Sequence, residues 1–246
     1  MNTTRKIAVM TGVVFIIATV TGLVAATLIP DLTDTDYLAR FFENKNQVAT
    51  GALLYLIGYL ACAAIGVVMY PVLKQLNAGL AFGSVIFRTL ETALYLVGLV
   101  CLLSLPALGQ QFTSAGSANR PLLQAIGNSL VSIHDYAGLV GVFAFCLGAL
   151  MYYYLFFATR LIPRWLSGFG IVAIILMLTA CVLALFSGNR ITSYIPLAFP
   201  IIIQEMVLAV WLIAKGFSPS VLGATPASDS VAVLRSAPAS VIASSK

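Results

Sequence analysis

Three ionisable residues, Arg88, Glu91 and Glu205, lie in stretches that otherwise have the composition of membrane-spanning helices. A charge at the bilayer centre costs roughly 2.5–3.5 kcal/mol on insertion scales, so such residues usually face the interior of a helix bundle and find partners there. A buried carboxylate can exchange a proton or bind an ion, and a guanidinium can pair with carboxylates. These residues are therefore the candidates for a buried functional site.

The three residues are expected to meet at one depth. At about 1.5 Å per residue, Arg88 lies about 12 Å, Glu91 about 16 Å and Glu205 about 14 Å from the same side of the membrane. Arg88 and Glu91 share a helical face, and one guanidinium has enough donors for both carboxylates. The first interpretation is an ion-paired strut between the third and sixth spans. The alternative is proton or ion coupling, because burial and a like charge both favour a neutral carboxyl group.

The elements that position these residues are hydrophobic segments. The chain is 61% hydrophobic and 9% charged, whereas soluble domains have about 25% charged residues, and its mean hydropathy is +1.02. A span needs about 20 apolar residues. Six spans are predicted: 7–29, 48–72, 80–105, 135–158, 166–187 and 194–214. The prediction is an all-α polytopic membrane protein, a bundle of six transmembrane helices over residues 1–217 with a disordered tail over 218–246.

The distribution of basic residues predicts an orientation. On the side of the amino terminus lie Arg5, Lys6, Lys74, Arg160, Arg164, Lys215, Arg235 and Lys246, and on the other side lie Arg40, Lys45, Arg120 and Arg190. The positive-inside rule then places both termini, and hence the tail, in the cytoplasm. A cleaved signal peptide is the alternative for the first span, although 7–29 is longer than the usual apolar core of about 7–15 residues. The basic residues form no stripe, so nucleic acid is not a predicted partner.

Residues spaced by three and four select one face of each predicted helix, which we expect to pack inside the bundle. On the third span this face has Ser84, Arg88, Glu91, Tyr95 and Gly98, and on the second Tyr55, Tyr59, Cys62 and Gly66. The fourth span has His134, Gly138, Gly141, Phe145, Gly148 and Tyr152, and the first has Gly12, Phe15, Thr19, Gly22 and Ala26.

Two further features concern the helices near the candidate site. Pro200 lies little more than one turn before Glu205 and is predicted to kink the sixth span, and a broken helix beside a buried carboxylate is common at transporter midplane sites. His134 and Asp135 are expected to form a hydrogen-bonded polar start to the fourth span. They are no catalytic pair within a helix, because adjacent residues do not face each other.

The loops are predicted to contain few residues that bear on function. Residues 30–47 are acidic and are expected to form a solvated connector. Residues 106–133 become amphipathic towards their end, which indicates a helix on the outer surface or an extension of the fourth span.

No metal site, cofactor site or catalytic motif is predicted. The cysteines Cys62, Cys101, Cys146 and Cys181 fall in four different spans without redox or zinc spacing. His134 is the only histidine, which argues against a bis-histidine haem and a histidine-rich metal site. No GxSxG, HExxH, Walker or GxGxxG sequence occurs. The chain is therefore expected not to be an enzyme, with acid–base work by the glutamates as the remaining route.

Four segments together resemble a known family. They are YPVLK at 70–74, FRTLE at 87–91, LIPRWLSG at 161–168, and EM at 205–206 followed by WLIAKGF at 211–217. In this order and spacing they resemble the bacterial membrane family called domain of unknown function 4386, over about residues 5–217. The resemblance implies a six-helix protein of the bacterial inner membrane and implies no activity.

The same segments have a physical interpretation as anchors at the cytoplasmic interface, where cations and amphipathic rings are favoured. Pro71 is expected to end the second helix and Pro163 to separate the fourth from the fifth. The charged and aromatic anchors are Lys74, Arg164, Trp165, Trp211 and Lys215. A partner-docking surface is the alternative.

Three function classes follow from these features. The first is an accessory, sensory or scaffolding membrane protein, which needs only the strut and the anchored rim. The second is a proton-coupled transporter of a small molecule or ion that uses Glu91 or Glu205. Because six helices are few for such a carrier, a homodimer or an unknown membrane partner is considered besides the lipid bilayer. The third is a membrane-embedded enzyme.

Overall fold

The computed structural model describes residues 3–218, which form helices joined by short connections. The helices are α1 (Thr3–Leu28), α2 (Tyr37–Glu43), α3 (Lys45–Leu73), α4 (Ala78–Ser114), α5 (Arg120–Thr159), α6 (Arg164–Ser187) and α7 (Ile195–Ala214), with a 3₁₀ turn over Ile191–Tyr194 before α7. The tail predicted to be disordered lies, apart from Ser218, outside the described residues.

Within these residues, six helices are long and apolar enough to cross a membrane, which confirms the predicted all-α bundle. Two of them are much longer than their predicted spans: α4 has 37 residues and α5 has 40, or about 55 and 60 Å against a hydrocarbon core of about 30 Å. The amphipathic part of 106–133 therefore extends α5. Pro121 occupies the first turn of α5, where its missing N–H has no helical partner to lose.

The six spanning helices form a closed ring in chain order. Each packs against its neighbours in the sequence of spans, from α1 through α3, α4, α5 and α6 to α7, and α7 packs back on α1. Such a ring has an interior that all six helices can line.

The two ends of the ring differ in charge. We call the end with Lys74, Arg164 and Lys215 the basic end, and the end with Asp135 and Arg190 the opposite end. At the basic end, the Arg5 guanidinium donates to the carbonyls of Leu212, Ile213 and Ala214 at 3.2, 2.5 and 3.1 Å. Because these are the last carbonyls of α7, Arg5 caps that helix and joins it to α1.

The acidic connector predicted over 30–47 contains a packed helix instead of being solvated throughout. In α2 the side chains of Tyr37, Leu38 and Phe41 are buried and belong to a second hydrophobic core with α3 and α4. The Tyr37 hydroxyl donates to Asn128 Oδ1 of α5 at 3.0 Å, and burial raises the pKa of Tyr37 above its usual value. The three buried residues of α2 occur between acidic residues in the sequence, so the acidic composition of the segment did not indicate a packed helix.

Candidate functional site

A cavity of about 260 Å³ lies in the ring and is lined by residues from all six spanning helices; we call it the central cavity. It brings together the three candidates Arg88, Glu91 and Glu205. On α4, Ser84, Arg88 and Glu91 are buried, as the spacing predicted. The other polar lining residues are Thr19, Tyr59, Cys62 and Tyr95.

Arg88 is held by contacts within its own helix, α4, and with two other helices, α3 and α5. Its Nη1 lies 3.0 Å from Glu91 Oε2 within α4, and its Nε donates to the Cys62 carbonyl of α3 at 3.1 Å. Its guanidinium lies 5.1 Å from the ring centre of Phe145 on α5, which is within cation–π range. The predicted pair of Arg88 with Glu91 is therefore present, and α3 and α5 fix its position.

Glu205 lines the same cavity without completing the predicted strut. Within the described residues, no nitrogen of Arg88 or of another basic side chain lies within 4.0 Å of a Glu205 oxygen. The contacts that hold the guanidinium lie on α4 and α3 instead: Nη1 lies beside Glu91, and Nε donates to the Cys62 carbonyl. The direct ion pair between the third and sixth spans was thus predicted wrongly, although the shared location is correct.

Several buried polar atoms around this site have no hydrogen-bond partner in the described chain. They are Arg88 Nη1, Glu91 Oε2, Glu205 Oε1 and the Tyr152 hydroxyl. Arg88 Nη1 and Glu91 Oε2 are close enough for Coulomb attraction, but their geometry is not that of a hydrogen bond. Buried polar atoms are nearly always satisfied in native proteins, so this cluster has hydrogen-bonding capacity available to a ligand or to water.

Towards the basic end, the ring is closed by packed side chains. Tyr152 and Tyr153 of α5 are fully buried and in ring contact. The Tyr153 hydroxyl donates to Gln204 Oε1, and Gln204 Nε2 donates to the Leu166 carbonyl at 3.2 Å. These contacts join α5, α6 and α7 at the level next to Glu205.

Towards the opposite end, three tyrosines lie between the central cavity and a second cavity. Tyr59 and Tyr95 line the central cavity. Tyr55 lines a cavity of about 390 Å³, which we call the opposite-end pocket. The ring centres of Tyr55 and Tyr59 are 5.5 Å apart, and those of Tyr59 and Tyr95 are 4.9 Å apart. Because Tyr55 and Tyr59 are one helical turn apart on α3, the two cavities lie one after the other along the long axis of the helix bundle.

The opposite-end pocket contains charged side chains that hold its walls together. Arg190 donates to Asp135 through Nε at 2.7 Å and through Nη2 at 2.8 Å, and His134 Nδ1 lies 3.0 Å from the Gly98 carbonyl oxygen. Asp31 also lines the pocket. Its carboxylate accepts from the backbone N–H and the hydroxyl of Thr33, which holds the pKa of Asp31 below its usual value.

Two expectations about these helices change. His134 and Asp135 are hydrogen-bonded as predicted, but they lie inside α5 rather than at its start, because the helix begins at Arg120. Pro71 lies inside the last turn of α3, which ends at Leu73, so it does not end the helix. Pro200 lies inside α7, where it removes the hydrogen bond to the Pro196 carbonyl; the kink itself stays a prediction.

Sequence reasoning missed three residues with structural roles near the site. Thr92 donates to the Tyr59 carbonyl at 2.8 Å and joins α4 to α3. Gln204 joins α7 to α5 and α6 on the basic-end side of the central cavity, and Arg190 pairs with Asp135. A glutamine directly before Glu205 in an apolar span was a usable signal, since polar residues in spans face the interior. The partner of Arg190 could not be inferred without the arrangement of the helices.

The predicted anchors cluster at the basic end. The rings of Trp165 and Trp211 meet edge to face at 6.4 Å, which joins the start of α6 to the end of α7. Lys74 lies over the ring of Tyr70 at 5.6 Å, and Arg164 over that of Phe157 at 5.3 Å. Pro163 directly precedes α6, and Lys215 directly follows α7.

A closed ring of apolar helices that surrounds buried charges defines an integral, multi-pass membrane protein. Its particular family follows from the sequence: a family model called domain of unknown function (DUF4386) matches residues 10–216, and the chain belongs to that family. No curated protein and no solved structure matched the chain.

Proposed function

We propose that this protein is a proton-coupled carrier that binds a small polar solute in the central cavity. The observation that supports this most is the set of buried, unpartnered polar atoms on Arg88, Glu91 and Glu205 around a cavity that all six helices line. Substrate sites of secondary transporters lie near the bilayer midplane between helices.

The chemistry of the lining defines the solute class. A volume of about 260 Å³ is slightly smaller than the roughly 300–1,000 Å³ of drug-sized sites. Arg88 offers donors, whereas Glu91 and Glu205 offer acceptors when ionised. The solute would therefore be small and carry both kinds of group. The proposal assigns binding and proton exchange to the glutamates rather than catalysis.

Glu205 is the residue proposed to exchange the proton. Arg88 already lies beside Glu91 at 3.0 Å, so the cluster would have one excess negative charge if all three groups were ionised. An uncompensated charge in the membrane interior is costly, and a proton on Glu205 removes it. Pro200, five residues before Glu205, gives α7 a point of weaker hydrogen bonding.

The two ends of the ring support an access direction. Tyr152, Tyr153 and Gln204 fill the basic end with buried contacts, whereas the stacked side chains of Tyr55 and Tyr59 lie between the central cavity and the opposite-end pocket. The proposal therefore includes entry of solute and proton past Tyr59 from the opposite end.

The proposal also includes a location and an assembly. The excess of basic residues at the end of the ring where α1 begins and α7 ends supports an inner-membrane protein with cytoplasmic termini. Six helices per chain are few for a carrier, so the transporting form is proposed to be a homodimer. The second candidate is the accessory, sensory or scaffolding class. In such a protein the contacts of Arg88 would only stabilise the packing of α4 against α3 and α5.

Glu205→Gln separates the two functions. We expect the wild type to show a fluorescence transition between about pH 5 and about pH 9, where buried carboxyl groups exchange protons, and Glu205→Gln to lose it while keeping its melting temperature. Trp211 lies fewer than two turns from Glu205, and Trp165→Phe in both proteins isolates its signal. The exposed Glu43→Gln serves as control. Superimposable titrations of wild type and Glu205→Gln would refute the proton site and favour the accessory class.

Access can be measured with the native thiol that lines the cavity. Cys62 lines it, and Cys101, Cys146 and Cys181 are buried elsewhere, so alanine at those three positions leaves one reporter. We expect a membrane-impermeant thiol reagent on the outside of spheroplasts to modify Cys62. Modification should be faster after Tyr59→Ala, because this change removes the aromatic side chain that lies between the two cavities. Modification only from the cytoplasmic face would contradict the access direction.

A further inference from the structure

We propose that the basic end contains a specific site for the phosphate of an anionic phospholipid headgroup, between the α5–α6 turn and the end of α7. A cavity of about 530 Å³ lies there, which we call the basic-end pocket. Arg160, Arg164 and Lys215 line it together with Trp211. Within the described residues, no acidic side chain lines this pocket and no ion pair involves these three cations.

The backbone keeps the three cations in place. Arg160 has a left-handed conformation with φ 58° that ends α5, and Pro163 follows at the start of α6. The Ser218 N–H donates to the Leu161 carbonyl at 2.9 Å, which ties the chain beyond α7 to the same turn. The pocket is thus formed by a turn and a helix end that a backbone hydrogen bond joins.

Arg5 makes the pocket more favourable to an anion. The carboxyl end of a helix carries a partial negative charge, and α7 ends beside this pocket. Arg5 donates to the carbonyls of Leu212, Ile213 and Ala214 and so compensates that charge. An ideal Cβ on Gly216, which lines the pocket, would lie 2.8 Å from Arg5 Nη1, so a fourth cation borders the site.

The depth of the pocket indicates a lipid rather than a soluble anion. Arg160 and Lys215 directly follow the last residues of α5 and α7, and Arg164 is the first residue of α6. These positions are at the ends of spanning helices, where lipid phosphates lie. The edge-to-face pair of Trp165 and Trp211 is typical of the same interface. Basic pockets between spanning helices bind anionic headgroups in this way.

The test compares two triple variants with equal loss of charge. Arg160→Gln/Arg164→Gln/Lys215→Gln removes the pocket cations, and Arg40→Gln/Lys45→Gln/Arg120→Gln removes three at the opposite end. Phosphatidylglycerol, phosphatidylcholine and inorganic phosphate are titrated into each purified protein, and lipid adducts in native mass spectra and melting temperatures are recorded. Each basic residue near a lipid surface raises the affinity for an anionic lipid roughly fivefold. We therefore expect the first variant to bind phosphatidylglycerol about a hundredfold more weakly than the wild type, and the second variant to bind it as the wild type does.

Three results would overturn the proposal. Equal losses in both triple variants would show general charge attraction, and equal binding of phosphatidylcholine would show that the anionic headgroup is not selected. Stabilisation by inorganic phosphate alone would identify a soluble phosphate compound as the occupant. Arg164 also packs on Phe157, so the exposed Lys215→Gln is measured by itself, with an expected loss of about fivefold and an unchanged melting temperature without lipid.

Discussion

At the scale of single residues, Arg88 determines which carboxyl group in the cluster is compensated. Its guanidinium contacts Glu91, the Cys62 carbonyl and the Phe145 ring, whereas Glu205 lines the same cavity from α7 without an ion pair. The sequence was sufficient for the pair of Arg88 and Glu91, because a spacing of three residues fixes both distance and face. For Glu205 it provided only a depth, since span boundaries do not determine how a helix is rotated.

Replacing Arg88 with Leu should lower stability strongly. The change leaves the buried Glu91 carboxylate without its cation and removes the bond to the Cys62 carbonyl, and breaking a buried pair typically costs about 3–5 kcal/mol. We expect a lower melting temperature in mild detergent and less protein in the membrane.

The matched control for this prediction is Arg190→Leu at the opposite end. Arg190 and Asp135 are about one quarter exposed, at 28% and 29%, and pairs with solvent access contribute about 0–1 kcal/mol. A melting temperature for Arg88→Leu as high as that of Arg190→Leu would mean that the cluster is hydrated enough to lose its cation without penalty.

At the scale of helices, the glycines on the predicted faces serve two different purposes. An ideal Cβ on Gly12 of α1 would lie 2.6 Å from the Ala209 carbonyl oxygen of α7, whereas one on Gly138 of α5 would meet no atom within 4 Å. Both positions fitted the spacing of three and four residues. Such spacing indicates which face of a helix points inward, but not how closely the neighbouring backbone approaches, so only the structure separates them.

Alanine at Gly12 and at Gly138 should therefore have opposite effects. In a helix, alanine is favoured over glycine by about 0.5–1 kcal/mol, and this gain is available at both positions. At Gly12 the new methyl group would press on the α7 backbone, and such overpacking costs typically 1–3 kcal/mol. We expect Gly12→Ala to lower the melting temperature and Gly138→Ala to keep or raise it; equal values would mean that α1 and α7 can separate freely.

The connections show where sequence patterns were least informative. The third and fourth spans were predicted from hydropathy alone. Hydropathy identifies the residues that lie in the hydrocarbon core but not the ends of the helix, so the lengths of α4 and α5 beyond the membrane were not predicted. Their extension and α2 are stabilised by the second core around Leu38 and Phe41. That core depends on contacts between residues far apart in the chain, which local periodicity does not contain.

At the scale of the whole molecule, the ring and the charge asymmetry belong together. Neighbouring spans pack in chain order and run in alternating directions, so every second connection lies at the same end. The basic end collects Arg5, Lys74, Arg164 and Lys215, and the long helices α4 and α5 extend beyond the other end. The composition was enough to predict a bundle of six spanning helices, because burial in lipid requires helices of nearly fixed length, but the contact of α7 with α1 that closes the ring was not predicted.

The orientation of this ring is the last prediction. Gln75, Ser117 and Asn189 lie in three different connections and are exposed, so reporter fusions there should be tolerated. Since the basic end has the excess of Lys and Arg, the positive-inside rule predicts a cytoplasmic signal at Gln75 and an external signal at Ser117 and Asn189. An external signal at Gln75 with cytoplasmic signals at the other two would reverse the protein and place the proposed headgroup site in the outer leaflet.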